Sequence, residues 1–327
     1  MATVLVTGGA GYIGAHACRA LAAAGHLPVC FDDFRTGWRD AVRFGPLVEG
    51  GLLDRAALDA AFATHRPEAV MHFAALSLVA ESVAHPERYW RNNVGGTLNL
   101  LEAMRDAGVR RLVFSSTAAV YGEPDLALIP EHAPQRPTNP YGATKLAVER
   151  MIGDVGAAHG LRAVVFRYFN VAGAAADAEI GEQHRPETHL IPLVLDAALG
   201  RREAITMNGD DYPTPDGACV RDYLHVEDLA DAHLLGLERL LSGGESLTVN
   251  LGVGRGYSVR EVIERARAVT GRPIHARLGP RRAGDPARLV CDPSQALTDL
   301  GWRATRSNLD QMIADAWVWA QGPGYES

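Results

Sequence analysis

Tyr141 and Lys145 stand four residues apart in NPYGATKLAVER, residues 139–150. On a helix, neighbours four apart share one face, one turn from each other. A phenol has a pKa near ~10 and is a poor base at neutral pH, but an adjacent ammonium favours its phenolate. Such a pair can take a proton from a hydroxyl and give it back. A third group, to hold that hydroxyl, is available in FSSTAAVYG, where Ser115, Ser116 and Thr117 end an apolar run. A Tyr–Lys pair also arises by chance on many helices, so its meaning rests on what surrounds it.

A second constellation supplies a partner for proton transfer. TGGAGYIG sets Gly8, Gly11 and Gly14 at three-residue spacing, after the strand-like TVLVTG and before the helical YIGAHACRALAAAG. Glycines there let the backbone turn tightly and approach a pyrophosphate, which then sits on the positive end of the helix. The next strand-like run, PVCFDD, ends in Asp32 and Asp33. A carboxylate at that point accepts hydrogen bonds from the adenosine ribose hydroxyls and repels a 2′-phosphate. This favours NAD over NADP. Arg35 pulls the other way, since it can neutralise a phosphate, and Asp33 pulls back; as a loop acid Asp33 can equally be no more than solvated.

Strand and helix patterns alternate through the first half of the chain. After PVCFDD come DRAALDAAFATH, a helix with Asp54 as N-cap, then AVMHFAA, a strand. HPERYWRNNVGGTLNLLEAMRDAG reads as one long helix ending at Gly108, RRLVFSST as a strand, NPYGATKLAVERMIGDVGAAHG as a helix and RAVVFRYFN as a strand. That alternation predicts an α/β fold: a Rossmann-type, doubly wound parallel sheet covered on both faces. Beyond Asn170 the pattern loosens. GAAADAEIGEQHRPETH reads as loop, LIPLVLDAALGRR as helix, GDDYPTPDGACVRDYLH as turns, and SVREVIERARAVTG and SNLDQMIADAWVWAQ as amphipathic helices. The expected organisation is an NAD-binding domain over 1–170 and a smaller, mainly substrate-binding α/β part over 171–327, some of whose segments return to the first sheet.

Composition narrows the field. A net charge of -7 argues against a nucleic-acid surface. No apolar run approaches the ~20 residues of a membrane span, and no leader pattern precedes the first strand. Four scattered cysteines (18, 30, 219 and 291) without a CxxC spacing suit small core residues in a reducing compartment. A cytoplasmic, soluble protein is expected.

With these residues in view, the chain resembles the extended short-chain dehydrogenase/reductases, and within them the nucleotide-sugar epimerase branch. The broad family is marked by TGGAGYIG and PYGATK. The branch is marked by RYFNVAGA, VRDYLHVEDLADAH and RRAGDP, and NNVGGTLNLLEAM and NLGVGRGYSVREVI extend the likeness almost end to end. The resemblance implies inversion of C4 between UDP-galactose and UDP-glucose. Tyr141 takes the proton of the 4-hydroxyl, tightly held NAD accepts the C4 hydride, the 4-keto sugar turns over, and the hydride returns to its other face. Thr117 is implied as the residue that bonds the 4-hydroxyl, with Ser115 and Ser116 as neighbouring alternatives. Lys145 is implied to orient the nicotinamide ribose as well.

The remaining roles are also carried by the resemblance. Tyr12, Ile13 and Asn92 are expected by the pyrophosphate, Leu52, Phe73, Ala74 and Ala75 by the adenosine, and Tyr168 by the nicotinamide. Asn170, His189 and Leu190 are expected to line the sugar nucleotide, Arg221 and Arg282 to clamp its phosphates, Asp285 to meet the uridine ribose, and Leu289 to gate sugar size. Guanidinium forks suit phosphate oxygens. The chain departs from the pattern at Gly51, where an acid usually meets adenine, at Ser77, where some relatives carry Lys, and at Asn208, where an aromatic often stands. A homodimer built on helices near 92–107 and 140–158 is implied.

Three alternatives share parts of this pattern. A 4-epimerase of UDP-N-acetylglucosamine, UDP-xylose or arabinose, or UDP-glucuronate shares all of it. A nucleotide-sugar dehydratase needs Asp and Glu after the catalytic Thr, where this chain has Ala118 and Ala119. An NAD-binding regulator without activity does not need the Tyr–Lys pair. His184 and His189 lie five apart in an acidic loop, but no third ligand is visible at a suitable spacing, and no metal is expected.

Overall fold

A computed structural model describes residues 1–282 and 285–326. Ala283 and Gly284, inside the RRAGDP segment, lie outside the described residues, as does Ser327. Thirteen strands are found among the described residues: β1 (Thr3–Thr7), β2 (Leu27–Asp32), β3 (Leu47–Glu49), β4 (Ala69–His72), β5 (Arg111–Thr117), β6 (Arg162–Tyr168), β7 (Asn170–Ala172), β8 (Ile205–Asn208), β9 (Val220–His225), β10 (Leu247–Leu251), β11 (Gly256–Ser258), β12 (Ala276–Gly279) and β13 (Arg288–Leu289). Seven form one sheet in the order β10-β6-β5-β4-β1-β2-β3, with every pair parallel. From β1 the chain runs outward through β2 and β3, then crosses back to β4 and continues the other way. Strand order therefore reverses between β1 and β4, and a crevice opens outside their carboxyl ends.

Alternate residues of each strand feed opposite faces. Leu5, Phe31, Val70, Leu112 and Phe114 pack with Leu58, Leu100, Met104 and Ile152 from helices on one side. Val4, Val6, Met71, Val113 and Phe166 pack with Leu21, Leu229 and Leu237 from helices on the other. Two-sided burial explains why these strands are apolar throughout rather than alternating. The helix Val226–Leu241 and strand β10 belong to this body, for β10 pairs with β6 in register from Leu247–Val164 to Leu251–Tyr168. The later segments also build a smaller lobe, with β7, β11 and β13 around β9, and β8 paired with β12.

Two expectations from the sequence need correction. The run expected as one long helix is Pro86–Tyr89, a wider π turn over Trp90–Gly95, and Gly96–Asp106. Asn93 explains the interruption. Its side chain accepts from Leu76 N at 2.9 Å and donates to Leu76 O at 3.0 Å, tying the helix to a loop. Wider turns of this kind recur at functional sites. The second correction concerns VRDYLH. It is not part of a turn region but the fully buried strand β9. Its charged residues hid that burial, and each is matched by a partner from elsewhere in the chain.

The glycine turn shows three separate constraints. Gly8 has a left-handed φ of 74°, and a Cβ there would lie 2.6 Å from Ala74 N. A Cβ on Gly14 would lie 2.0 Å from Gly8 O, so helix Tyr12–Ala23 packs onto the strand end only without a side chain. At Gly11 the nearest atom is Gly8 O at 3.3 Å, and the other directions stay open. Gly14→Ala is expected to lower unfolding stability by about 1–3 kcal/mol through overpacking. Urea denaturation checks this, and an unchanged midpoint would contradict the packing role assigned to Gly14.

Candidate active site

A cleft of about 1150 Å³ lies between the carboxyl ends of the parallel strands and the smaller lobe. Its walls include Thr117, Tyr141, Lys145 and every residue expected at the cofactor or the substrate, but not the alternatives Ser115 and Ser116. On the sheet side these are Gly8, Gly11, Tyr12, Ile13, Gly14, Asp32, Asp33, Leu52, Phe73, Ala74, Ala75 and Asn92. Thr117, Tyr141, Lys145 and Tyr168 lie between the two sides in the order of the chain. Asn170, His189, Leu190, Arg221, Arg282, Asp285 and Leu289 also line it.

The glycine turn meets the cleft through the start of helix Tyr12–Ala23, whose N-cap, Gly11, offers no side chain to its amides. No acid stands in its first turn. The amides and the positive end of the helix therefore remain free for an anion. Asp32 is nearly buried. It accepts from Ala10 N at 3.0 Å and from Phe34 N at 2.8 Å, which fixes the loop around the turn. Burial raises its pKa, and these backbone bonds oppose the rise. A carboxylate has about four acceptor sites, so ribose hydroxyls can be added to the two amides. Arg35 is drawn onto Asp33 at 3.0 Å and onto Asn92 Oδ1 at 3.0 Å. A Cβ at Gly51 would come within 3.2 Å of Asp33 Oδ2, so an acid at 51 would crowd a second carboxylate there. These features fit a dinucleotide with unmodified ribose.

The helix Pro140–His159 carries the Tyr–Lys pair. Asn139 caps it by accepting from Gly142 N at 2.9 Å, Pro140 occupies its first turn, and Gly160 ends it in the left-handed region. A Cβ at Gly142 would lie 2.5 Å from Ala119 O, so the helix reaches the turn after β5 only because residue 142 is glycine. That approach brings the phenol of Tyr141 into hydrogen-bond reach of the Thr117 hydroxyl. Thr117 and Tyr168 are register partners at the ends of β5 and β6. Of the serine alternatives, Ser115 bonds to His233 Nε2 at 3.0 Å and Ser116 donates to Glu149. Both are spent behind the wall, and Thr117 is the hydroxyl that faces the cleft. Ala118 and Ala119 follow it, and neither carries a carboxylate.

Burial dominates the electrostatics of the pair. Burial pushes the Tyr141 phenol up to about 12, and the Thr117 hydroxyl only partly opposes this. Burial lowers Lys145 to about 7, with Glu149 pulling it back up. The Lys145 ammonium donates to Ser115 O at 2.8 Å and lies 4.9 Å over the Phe114 ring. Behind the pair, Glu149 is locked to Arg167 in a buried bidentate bridge, with Arg167 Nη2 2.6 Å from Oε2. From the other side, Asn93 donates to Thr144 Oγ1 at 3.1 Å, and Thr144 donates to Tyr141 O at 2.8 Å. The interrupted helix thus braces the catalytic one.

In the smaller lobe the two arginines that line the cleft, Arg221 and Arg282, each have a partner. Arg221, on β9, pairs with Asp285 and also donates to Val220 O at 2.8 Å. Leu289 is the register partner of Arg221 on β13. Asn208 lies with its side-chain amide 3.0 and 3.2 Å from Arg282 Nε and Nη2, and its oxygen accepts from both. Asn208 thus orients an arginine rather than stacking. The sequence reading also missed Glu182, which lines the cleft with His184 and His189, and Glu187, whose carboxylate meets both histidines from behind. That correction follows from the fold of loop 182–189: residues two and three apart on a turning chain converge, which linear spacing does not display.

Lys145 makes stability depend on pH in protein freed of nucleotide. The unfolded chain keeps the lysine proton up to its ordinary pKa near ~10.4, whereas the folded chain gives it up near 7. Between those values the unfolded state binds more protons, so this group's contribution makes stability rise with pH. Lys145→Met removes the contribution. The wild-type minus variant unfolding free energy is expected to rise by about 1.4 kcal/mol per pH unit across that window, as measured by denaturant titration. A difference that stays flat with pH would refute the buried, neutralised lysine.

The model of the NAD dependent epimerase/dehydratase family matches residues 4–252. A UDP-glucose 4-epimerase of Streptomyces lividans is 55% identical over 317 residues, 96% of this chain and 95% of its own. Among solved structures, UDP-glucose 4-epimerase from Brucella ovis in complex with NAD is 49% identical, with a TM-score of 0.95 over 97% of this chain and 98% of its own. The enzyme from Bifidobacterium longum in complex with NAD+ and UDP is 38% identical, with a TM-score of 0.92 over 97% of each chain.

Proposed function

The chain belongs to the NAD dependent epimerase/dehydratase family, and on that premise we infer that it is an isomerase that interconverts UDP-galactose and UDP-glucose by inverting sugar C4. The observation that carries this reading is the convergence of Thr117, Tyr141 and Lys145 on a cleft that also holds a glycine turn and two arginines. NAD, when bound, would supply reversible hydride transfer at C4 and a positively charged ring that favours the phenolate.

We assign the dinucleotide to Gly8, Gly11, Tyr12, Ile13 and Gly14 at the pyrophosphate, with Asn92 beside it, and to Asp32 and Asp33 at the adenosine ribose. Leu52, Phe73, Ala74 and Ala75 line the adenosine, and Tyr168 and Lys145 the nicotinamide end. Arg221 and Arg282 hold the substrate diphosphate, Asp285 the uridine ribose, and Asn170, His189 and Leu190 the sugar nucleotide. Thr117 orients the 4-hydroxyl, and Tyr141 Oη accepts its proton and later gives it back. The buried position of this pair excludes water while the sugar turns within the cleft. Its carboxylate-free surroundings at Ala118 and Ala119 speak against elimination of water. Leu289, which lines the cleft without an aromatic ring, supports a second reading in which larger UDP-sugars are also accepted.

We further propose a homodimer and a cytoplasmic location. Trp90 and Leu98, each 44% exposed on the segment named for the dimer, support the first. Four buried free cysteines support the second. No helix among the described residues is long and apolar enough to cross a membrane.

Proton NMR of purified protein with UDP-galactose and no added NAD tests the reaction, with UDP-N-acetylgalactosamine and UDP-arabinose as comparisons. UDP-glucose should form without net NADH; no conversion even with NAD supplied would sink the reading. Tyr141→Phe is expected to slow turnover by about 10²–10⁴-fold while bound NAD is retained. Near-normal turnover in that variant would remove Tyr141 from the chemistry.

A further inference from the structure

The loop before helix Leu190–Ala198 holds four side chains whose donor atoms converge. Glu182 Oε1 lies 3.3 Å from His184 Nδ1 and 3.0 Å from His189 Nδ1. Glu187 places Oε2 3.4 Å from His184 Nδ1 and Oε1 2.9 Å from His189 Nδ1. One ligand atom from each residue lies within 4.8 Å of all the others. The carboxylates are deep in the wall, at 7% and 14% side-chain exposure.

Hydrogen bonding does not account for the whole arrangement. Glu187 accepts from the His189 backbone at 2.8 Å and pairs with its ring. His184 Nδ1, by contrast, is sealed from solvent and makes no hydrogen bond, although it faces both carboxylates. An unsatisfied buried nitrogen calls for an explanation, and a bound ion is one. A tetrahedral zinc ion, bonded to N and O at about 2.0–2.2 Å, separates its ligands by roughly 3.4 Å. Glu182 Oε1 lies 3.3 and 3.0 Å from the two nitrogens, and Glu187 meets one nitrogen with each of its oxygens, at 3.4 and 2.9 Å, so the four groups already surround a common point at about that spacing. Two imidazoles and two carboxylates also form a donor set of suitable hardness, and together they carry the charge that a divalent ion neutralises.

We propose that Glu182, His184, Glu187 and His189 bind one divalent transition-metal ion of the zinc class. The ion joins the two sides of the cleft. Tyr12, in the glycine turn, packs edge-on to His184 and donates to Gly173 O at 2.7 Å, while His189 is the cap residue of helix Leu190–Ala198. The metal fixes loop 182–189 between them. It takes no part in the proton transfer assigned to Tyr141.

The test uses the untagged full-length protein, treated with a chelator, exchanged into metal-free buffer and titrated with Zn²⁺ and with Co²⁺. One ion per chain should bind, and cobalt should show the absorption of a four-coordinate nitrogen–oxygen site. His184→Ala and Glu187→Gln should each weaken binding by at least about tenfold, the lower range for loss of a mere supporting contact, with circular dichroism unchanged. Absence of saturable binding, equal binding by the variants, or a cobalt–thiolate band would overturn the proposal and leave an ion-pair network. If the variants do not fold, X-ray absorption of the zinc-loaded wild-type chain decides. Two imidazoles with oxygen ligands support the site, and sulfur or fewer imidazoles overturn it. None of these readouts depends on turnover.

Discussion

A lysine ammonium removed from water costs several kcal/mol unless the fold compensates it. Lys145 escapes part of that cost by a pKa lowered to about 7, and much of the surrounding structure compensates its charged form. The Ser115 carbonyl accepts from the ammonium, the Phe114 ring lies beneath it, and Glu149 supplies negative charge one turn further along the same helix. Glu149 is itself buried and needs Arg167, which in turn bonds Tyr121 at 2.9 Å and Glu131 O at 3.1 Å. Tyr121 passes the chain on to Asn250 of β10 at 2.7 Å. A late strand thereby stabilises a charge at the centre of the site. Buried networks of this kind add little net stability but fix one geometry, because any other arrangement strands a charge.

The same logic governs the smaller lobe. Arg221 and Arg282 face the cleft but stay paired with Asp285 and Asn208. These partners hold the guanidinium forks in place. Opposite them, the glycine turn presents free amides at a helix start, a feature that suits an anion without any cation. Two phosphate-bearing ligands can thus meet in one cleft. Backbone dipoles line one part of that cleft and formal charge another, and the Tyr141 phenol lines it too.

Local features were the legible ones. The caps at Asp54 and Asn139, the glycine turn, the Tyr–Lys pair and the alternation of strands with helices are each set by residues close in the chain. Other features escaped a linear reading. The π turn at Trp90–Gly95 depends on Asn93 bonding a loop seventeen residues away. Strand β9 carries Arg221, Asp222 and His225 in a run that reads as polar, and it becomes a strand because partners across the fold satisfy each of them.

From its residues alone the chain displayed the groups that could do chemistry: a phenol beside an amine, a glycine-rich turn after a strand, an acid at the end of the second strand, and two arginines. These are decided by side-chain type and short spacing. Tertiary structure decided the electrostatic state of those groups and which neighbours serve them. Burial, not spacing, raised Tyr141 and lowered Lys145. Register set Thr117 beside Tyr168 and left Ser115 and Ser116 behind the wall. The folding of one loop gathered Glu182, His184, Glu187 and His189 around a common point. The physical reason is that desolvation and side-chain convergence depend on three-dimensional surroundings, which neighbouring residues in a chain do not specify.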